Sequence, residues 1–468
     1  MPVRPFLLRV SAGFLAAMAV LSQAGAAEKV KPAGLITLEQ AYDRALATDQ
    51  AIRIAYWEVR KANLLPWSAL TRLGPQLTAG GGYSRREQFS RRTVQESVTE
   101  SSTGTGLPTI AESRSAERTT RSNAGAADIG LSFVQPLIDL SVFPAYRAGK
   151  LSKSIARLEH QFTVRGTLFG VADAYYEVLK QQRLVDVNRE GLRLADEQFS
   201  LAQKRANAGE VTRADVLRAT VVVETARRVL VESENVLEFA LNTLRNILNF
   251  APDAPLELVE PPDYPGTLPP FPELLNRAYA AREDLKVRDL AIDQDIGRRG
   301  VIIGEYGPRV VAQFDTSRDH ISGSSTSSNY DWQAAVSVQV PILTGGQREI
   351  DLLTQNRQIE QTRLERERTA KTVEADVKQA WLTVRTLKQT IKALHAQVVA
   401  AEQGFHDLEI QYTAGTATSV DVLTALNDLN TARKDLAVQT YDYQVALRNL
   451  DQASGVFEEG RVRSSKIP

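Results

Sequence analysis

The stretch YTAGTATSVDVL, at residues 412–423, decides the fold because the chain contains a close copy of it, RANAGEVTRADVL, at residues 205–217. The residues of this copy that recur unchanged 206 positions later include Gly209, Asp215, Val216 and Leu217. A Gly lets a chain leave a helix through the left-handed conformation. A Thr followed three residues later by an Asp suits the start of the next helix. The two copies therefore predict the tips of two helical hairpins.

The segments around the tips have long helical patterns. One runs from Ala145 to Ala206, and its counterpart runs from Gly346 to Tyr412. After each tip, apolar residues recur at alternating steps of three and four, a 3.5-residue period that is typical of coiled-coil packing. The two return segments match position by position, including a polar interruption at Ser233 and Gln439. We therefore predict an internally duplicated chain with two long antiparallel coiled-coil hairpins.

The amino terminus has the features of an export signal. Arg4 and Arg9 are followed by the apolar run Val10–Leu21 and then by small residues. Because ~17–25 apolar residues are needed to span a bilayer, this run is too short for a membrane anchor. We predict a cleaved signal peptide over residues 1–27. No later apolar run is as long, so we expect no transmembrane helix in the mature protein.

Composition excludes several classes of function. The chain has 56 basic and 56 acidic residues and no cysteine. The balanced charge offers no basic surplus for nucleic acid, so we expect no nucleic-acid partner. The missing cysteines exclude disulfides, thiolate metal sites and a cysteine nucleophile. The histidines show no ligand spacing, and no hydrolase or phosphate-loop motif is found. We expect no cofactor, no metal and no enzymatic activity.

Four segments change to the two-residue period of strands. Apolar and small polar residues alternate around 77–83, 129–133 and 332–340, for example. One apolar row and one polar row, over about ten residues, is typical of a membrane-spanning β-barrel; a small soluble sandwich is the alternative. Between the first two strands, Arg85 to Ala127 has the composition of a mobile loop.

These strands cannot form a barrel alone. A barrel needs about eight strands, and an open sheet edge is not tolerated in lipid. Several chains must therefore share one barrel, and the sequence alone permits eight, twelve or sixteen strands. We divide the chain into a first structural repeat at 28–250, a proline-rich connector at 251–272, a second repeat at 273–452 and a tail at 453–468, which we expect to be disordered.

The duplicated layout, the joints QPLIDL and VPILTGG, and the twin tips resemble the TolC-type outer-membrane efflux proteins. The resemblance implies an α+β membrane protein that forms a homotrimer, with a shared twelve-stranded barrel in outer-membrane lipid and an α-barrel in the periplasm. It also implies an exit duct of a tripartite efflux or type I secretion system. The expected partners are a periplasmic adaptor and an inner-membrane pump of the resistance-nodulation-division or ABC type.

The resemblance also implies roles for residues at the tips. The matching adaptor-docking residues are Ala208, Gly209, Glu210, Ala414, Gly415 and Thr416. The residues matching the family's periplasmic gate are Asp421, Tyr412 and Asp215. Two further gate positions, an arginine and a second aspartate in the family, are occupied here by Ala417 and Thr424, so the usual closing salt bridge is missing.

Two other classes of function compete with the duct. An exported structural or adhesive coiled coil without a pore would explain the helical seams, but it leaves the amphipathic strands unexplained. A periplasmic adaptor also has a long hairpin, although such proteins usually carry one hairpin instead of two. The transported substrate cannot be inferred from the sequence, because selectivity in such systems lies mainly with the pump.

Overall fold

The computed structural model describes residues 35–98, 112–262, 268–322 and 327–464. The predicted signal peptide, residues 1–27, lies outside the described residues, as do the last four residues of the chain. Among the helices that are described, none is both long enough and apolar enough to cross a membrane.

Long helices dominate the described chain. The first part contains β1 (Leu35–Ile36), α1 (Leu38–Thr48), α2 (Gln50–Ala62), α3 (Leu65–Leu70), β2 (Gln76–Val98), β3 (Glu112–Asp139), α4 (Val142–Asn207) and α5 (Arg213–Ile247). After β4 (Glu257–Leu258) come α6 (Phe271–Ala281), α7 (Glu283–Gly304), β5 (Arg309–Ser322), β6 (Ser327–Gln339), α8 (Gln347–Thr413), α9 (Ser419–Ala453) and α10 (Glu459–Ser464). The sequence predicts the ends of α4 and α8 to within three residues.

Two compact units make up this structure, and each is built from separated stretches of chain. The first contains the described part of Met1–Asp49 together with Leu168–Thr267 and Val384–Arg448, so it includes both tips. The second contains the rest, including the whole sheet of β2, β3, β5 and β6. Each unit takes residues from both repeats, so the repeat boundaries at 28–250 and 273–452 stay predictions.

In the first unit, the helices bury the apolar residues of the predicted seams fully or in part. Next to the tips, one cluster of buried side chains joins α4, α5, α8 and α9: Ala195, Val223, Phe405, Tyr412, Val422, Leu426 and Leu429. Burial stabilises such a cluster by about 25 cal/mol for each Å² of apolar surface removed from water. The cluster therefore holds the two hairpins together close to their tips.

In the second unit, the antiparallel sheet has the strand order β2-β3-β5-β6. Its register places Phe133 opposite both Leu77 and Phe314, so these three side chains share one face. Leu77 and Trp332 on this face are 70% and 65% exposed. The sheet thus has one apolar face that this chain leaves uncovered and one face of small and polar residues. This arrangement confirms the predicted character of the four strands.

The hairpin of β2 and β3 corrects one expectation. The sequence from Arg85 onward predicts a loop, but both strands continue, with Arg85 opposite Gly125 and Val98 opposite Glu112. Paired strands satisfy each other's backbone hydrogen bonds. Because both faces of such a ribbon meet water, it can carry polar side chains on both, and its composition then resembles that of a loop.

The carboxy-terminal tail is a second correction, because its described part is folded instead of disordered. It contains α10, and Phe457 and Val462 are buried. The main-chain oxygen of Phe457 accepts a hydrogen bond of 2.5 Å from Arg165 Nη1. The same guanidinium forms a buried ion pair with Glu283 at 2.6 Å. A buried arginine needs several such partners, and the tail supplies one of them.

The proline-rich connector takes part in the first unit through β4, which pairs in parallel with β1, Leu35 opposite Glu257. The hydroxyl oxygen of Tyr175 lies 2.8 Å from the carbonyl oxygen of Ile36 and 2.6 Å from that of Val259. It also accepts a hydrogen bond of 3.1 Å from the backbone N–H of Val259. Burial raises the pKa of Tyr175 to about 12. The hydroxyl therefore stays protonated and holds this strand pair at neutral pH.

Candidate functional site

Both tips use the same backbone turn. The glycine between the helices is in the left-handed region in each, with φ of 77° at Gly209 and 79° at Gly415. The N–H of the following residue donates to a carbonyl oxygen five residues earlier, at 2.9 Å: Glu210 to Arg205 and Thr416 to Gln411. This closure needs a residue that adopts positive φ without strain, which glycine does. The structure therefore has a helical hairpin at each predicted tip.

The residues predicted to dock an adaptor lie within these two turns. All six are exposed: Ala208, Gly209, Glu210, Ala414, Gly415 and Thr416. The turns are neighbours, because a Cβ added to Gly415 would lie 3.8 Å from Arg205 Nη2. The structure thus brings both turns into one exposed surface. Their role in docking stays a prediction.

The two predicted gate aspartates cap the helices that leave the tips. Asp215 Oδ2 accepts hydrogen bonds from the hydroxyl and the backbone N–H of Thr212, at 2.6 and 3.0 Å. Asp421 Oδ2 accepts the same pair from Thr418, at 2.6 and 2.9 Å. Each Asp with its Thr forms a capping box. These bonds, the threonine hydroxyl's above all, hold the pKa of both carboxyl groups below the ordinary value.

The surroundings of the two carboxylates differ. Asp215 also receives a hydrogen bond of 3.3 Å from Arg218 Nη1. The position that matches Arg218 in the second tip is Thr424, whose hydroxyl donates to the carbonyl oxygen of Val420. Asp421 is exposed and lacks such an arginine within its own hairpin. The second tip therefore presents the carboxylate whose charge is less compensated.

Tyr412 is placed differently from the two aspartates. Its side chain is only 4% exposed and belongs to the buried cluster described above. Its hydroxyl is buried and has no hydrogen-bond partner among the described residues. Ala417, at the position of the family's gate arginine, packs against the same cluster. Tyr412 therefore acts in this structure through its ring and its main chain, and its part in a gate stays a prediction.

Arg205 is the residue that sequence reasoning missed. Its guanidinium carbon lies 4.6 Å from the centroid of the Tyr412 ring, over its face. Its Nη1 donates to the carbonyl oxygen of Tyr412, and its Nε donates to Glu210 Oε2 at 2.9 Å. Stacking on an aromatic face and a forked set of donors are both characteristic of arginine. Arg205 thus joins the first tip to the second, and we call these contacts the arginine clamp.

A signal for the clamp exists in the sequence, although not in the identities between the copies. At a step of 206 positions, Arg205 is matched by Gln411, and Tyr412 is matched by Ala206. The first copy therefore lacks the ring, and the second lacks the guanidinium. The sequence therefore shows that the copies differ at both positions, but it does not show that the two side chains meet.

The fold and both tips allow a comparison with known proteins. The family model described as "Outer membrane efflux protein" matches residues 41–249 and 274–456 of the chain. These two matches cover both tips and most of both repeats. The chain belongs to the outer membrane efflux protein family. The resemblance to the TolC-type proteins inferred from the sequence is confirmed.

Individual relatives in this family are distant in sequence. The chain is 25% identical over 302 residues to outer membrane efflux protein BepC of Brucella suis biovar 1 (strain 1330), a match that covers 62% of the chain and 63% of BepC. It is 24% identical over 360 residues to outer membrane protein TolC of Escherichia coli (strain K12), covering 72% of the chain and 71% of TolC. The chain thus spans just under two thirds of the length of BepC.

The structure of the outer-membrane channel OprN is similar in fold, with a TM-score of 0.70 at 18% identity over 89% of each chain. The predicted fold class, helical hairpins that build an α-barrel together with strands of a shared barrel, is confirmed. The predicted transport class and the outer-membrane location are confirmed by the family. The family members described above are efflux and channel proteins instead of enzymes.

Proposed function

We propose that this protein is the outer-membrane exit duct of a tripartite efflux or type I secretion system. Three copies join their four strands into a twelve-stranded barrel, and their helices form the duct in the periplasm. The observation that carries this proposal is the sheet. Its apolar face is uncovered, and its outer strands β2 and β6 each have one neighbour in the described chain. Backbone groups at an open edge cannot remain unpaired in lipid, so further copies must supply their partners.

The two tips are the proposed docking surface for a periplasmic adaptor, which connects the duct to an inner-membrane pump. Both turns expose their glycine and its neighbours side by side. Backbone that is free of large side chains allows a partner helix to approach closely. Glu210 adds a carboxylate in the first tip and Thr416 a hydroxyl in the second, so the two turns offer different polar groups to the adaptor.

The same tips form the proposed entrance of the duct. In a trimer, Asp421 would contribute three carboxylates with no arginine of their own hairpins beside them. Such a ring attracts cations and can be blocked by multivalent ones. The arginine clamp holds the two tips of one chain together, which gives this protein a closing contact although Ala417 and Thr424 lack charge. We further propose that the protein has no catalytic activity of its own.

Crosslinking from the tips tests the docking surface. A photoreactive residue replaces Glu210 or Thr416 in the native cell envelope, and the captured proteins are identified. The matched control carries the same residue at Glu232, which is exposed on α5 far from the turn. We expect an adaptor to be captured from both tips and not from position 232. Equal capture from all three positions would contradict the docking surface.

Fractionation and channel recording test the duct itself. We expect a trimer in the outer-membrane fraction that conducts ions in a planar bilayer. In these recordings, Asp421→Ala should reduce the block by divalent cations. If the protein instead fractionates with soluble periplasmic proteins, the duct proposal fails and the exported coiled coil without a pore takes its place.

A further inference from the structure

The hairpin of β2 and β3 extends well past the rest of the sheet. Pairing of β3 with β5 ends where Gly125 meets Ser322. Beyond this point, within the described part of the chain, β2 and β3 pair only with each other, up to Val98 and Glu112. We call this extension, residues 85–98 and 112–124, the outer ribbon. Because the helices lie on the periplasmic side, the ribbon lies at the external mouth of the proposed duct, and its orientation rests on that proposal.

One face of the outer ribbon continues the polar face of the sheet. Directly opposite residues of an antiparallel pair share a face, and every second residue returns to it. Thr78 and Ser84 mark the polar face in the sheet, and Arg86 and Arg92 follow in the same row. Arg92 lies directly opposite Arg118. All three arginine side chains are exposed.

The arginine pair has no acidic neighbour. The residues next to Arg92 and Arg118 on the same face are Ser90, Val94, Ala116 and Thr120. The carboxylate of Glu117 lies on the other face, where it is 3.9 Å from Arg91. Glu96, farther along the row, is opposite Arg114 in the register. Like charges directly opposite each other destabilise a strand pair, and among the described side chains no carboxylate lies directly beside Arg92 and Arg118 on this face to offset their charge.

Within the sheet, the same row has the opposite charge. Asp128 lies directly opposite Asp319, while Asp315 and Asp331 lie opposite Ser132 and Ser317. Between Gln313 and Ile321 this row of β5, with its partners on β3 and β6, contains no Lys or Arg. A multivalent anion attracted to the arginine pair would meet repulsion if it moved farther into the barrel. It would therefore stay at the mouth.

We propose that the face of the outer ribbon with Arg86, Arg92 and Arg118 binds multivalent phosphate-bearing anions, and that a bound anion plugs the duct from outside. Guanidinium groups recognise phosphate oxygens through paired donors. A trimer presents this face three times around one mouth, so a polyanion can contact several copies at once and gain from multivalency. The face continues the polar row of the barrel, which favours a soluble anion over the phosphate of a neighbouring lipid.

Planar-bilayer recordings of the full-length trimer test the plug, with inorganic tripolyphosphate as the probe. We expect block when the probe is added on the ribbon side and none when it is added on the helical side. In the double variant Arg92→Gln and Arg118→Gln, the concentration for half-block should rise about tenfold or more, since several charge-assisted contacts are lost. The matched control is Arg91→Gln, on the same strand but the other face, which should be blocked like the unmodified protein.

Calorimetry on the detergent-solubilised trimer measures tripolyphosphate binding without a working channel, so failure of the duct proposal and failure of this one remain distinguishable. Migration as a heat-modifiable trimer shows that each variant is folded. The proposal is overturned if tripolyphosphate does not bind, if Arg91→Gln weakens binding as much as the double variant, or if block is equal from both sides. Block that requires lipopolysaccharide in the bilayer would assign the arginine face to lipid phosphate instead and would also overturn it.

Discussion

The two tips have one backbone and two sets of side chains. Their turns have the same closing hydrogen bond, φ values of 77° and 79° at the glycines, and the same capping box. The arginine clamp, by contrast, needs a guanidinium from the first copy and a ring from the second. Neither copy carries both groups, so two tips with the sequence of either copy could not form it. Duplication therefore supplied two equal turns, and divergence at a few positions supplied the contact between them.

Removing the arginine clamp should have the largest effect on the two tips. Arg205→Ala loses a charge-assisted hydrogen bond and a stacking contact, about 2–3 kcal/mol together. We expect more frequent opening in single-channel recordings and faster proteolysis at the tips. Gln411→Ala, the same change at the matching and exposed position of the second copy, is the control and should change neither. If both variants open equally, the clamp does not close the entrance.

Changing the glycines tests whether the two turns are equivalent. Gly209→Ala and Gly415→Ala each place a Cβ on a residue with positive φ, which costs about 1–2 kcal/mol. An added Cβ meets nothing within 4 Å at Gly209 and only Arg205 Nη2, at 3.8 Å, at Gly415. The two losses of thermal stability should therefore agree closely. A clearly larger loss at one tip would show that the turns are not interchangeable.

Acid should affect both capping boxes in the same direction. Hydrogen bonds from Thr212 and Thr418 lower the pKa of Asp215 and Asp421. Because the pKa of each carboxyl group is lowered in the folded protein, its capping contribution to stability is fully present above the ordinary pKa of 3.8. This contribution is lost as the pH falls through the lowered pKa. Both capping boxes should therefore be intact between pH 7 and pH 5. Proteolysis at the tips during heating measures their thermal stability, and it should not change over this range. Asp215→Asn and Asp421→Asn should reduce the loss seen at lower pH.

Adding to the second tip the arginine that the first tip has at the matching position should have the smallest effect on stability. Thr424→Arg gives Asp421 the neighbour that Arg218 gives Asp215, and an exposed ion pair contributes little to stability. Its effect on conductance should be easier to measure, because the added charge weakens the proposed block by divalent cations. Arg218→Thr is the reciprocal control. An unchanged block in Thr424→Arg would remove Asp421 from the entrance.

The tips and long helices were predictable because they follow from local rules. A glycine with a Thr and an Asp at fixed distances marks a turn and a helix start, and its repetition after 206 positions made the prediction independent of any single motif. The ends of α4 and α8 were found for the same reason. The four strands of the sheet followed from their two-residue period.

The clamp, the outer ribbon and the folded tail were not predictable by those rules. Arg205 and Tyr412 meet across 207 positions through packing between hairpins, which no local period encodes. The outer ribbon has polar residues on both faces, so it lacks the apolar alternation that marks a half-buried strand. The tail is ordered by contacts such as that of Phe457 with Arg165, 292 positions away.

The small sheet of β1 and β4 has a consequence for the order in which the protein can fold. Its partners, Leu35 and Glu257, are separated by 222 positions, and contacts over such distances form late because a long loop must close first. A chain that emerges into the periplasm from its amino end therefore exposes β1 long before β4 arrives to pair with it. During that interval the hydroxyl of Tyr175 can contact only the β1 side of the strand pair, because β4 is not yet present. Until β4 arrives, β1 therefore has unpaired backbone groups in the nascent molecule, and a protease or a chaperone can bind them.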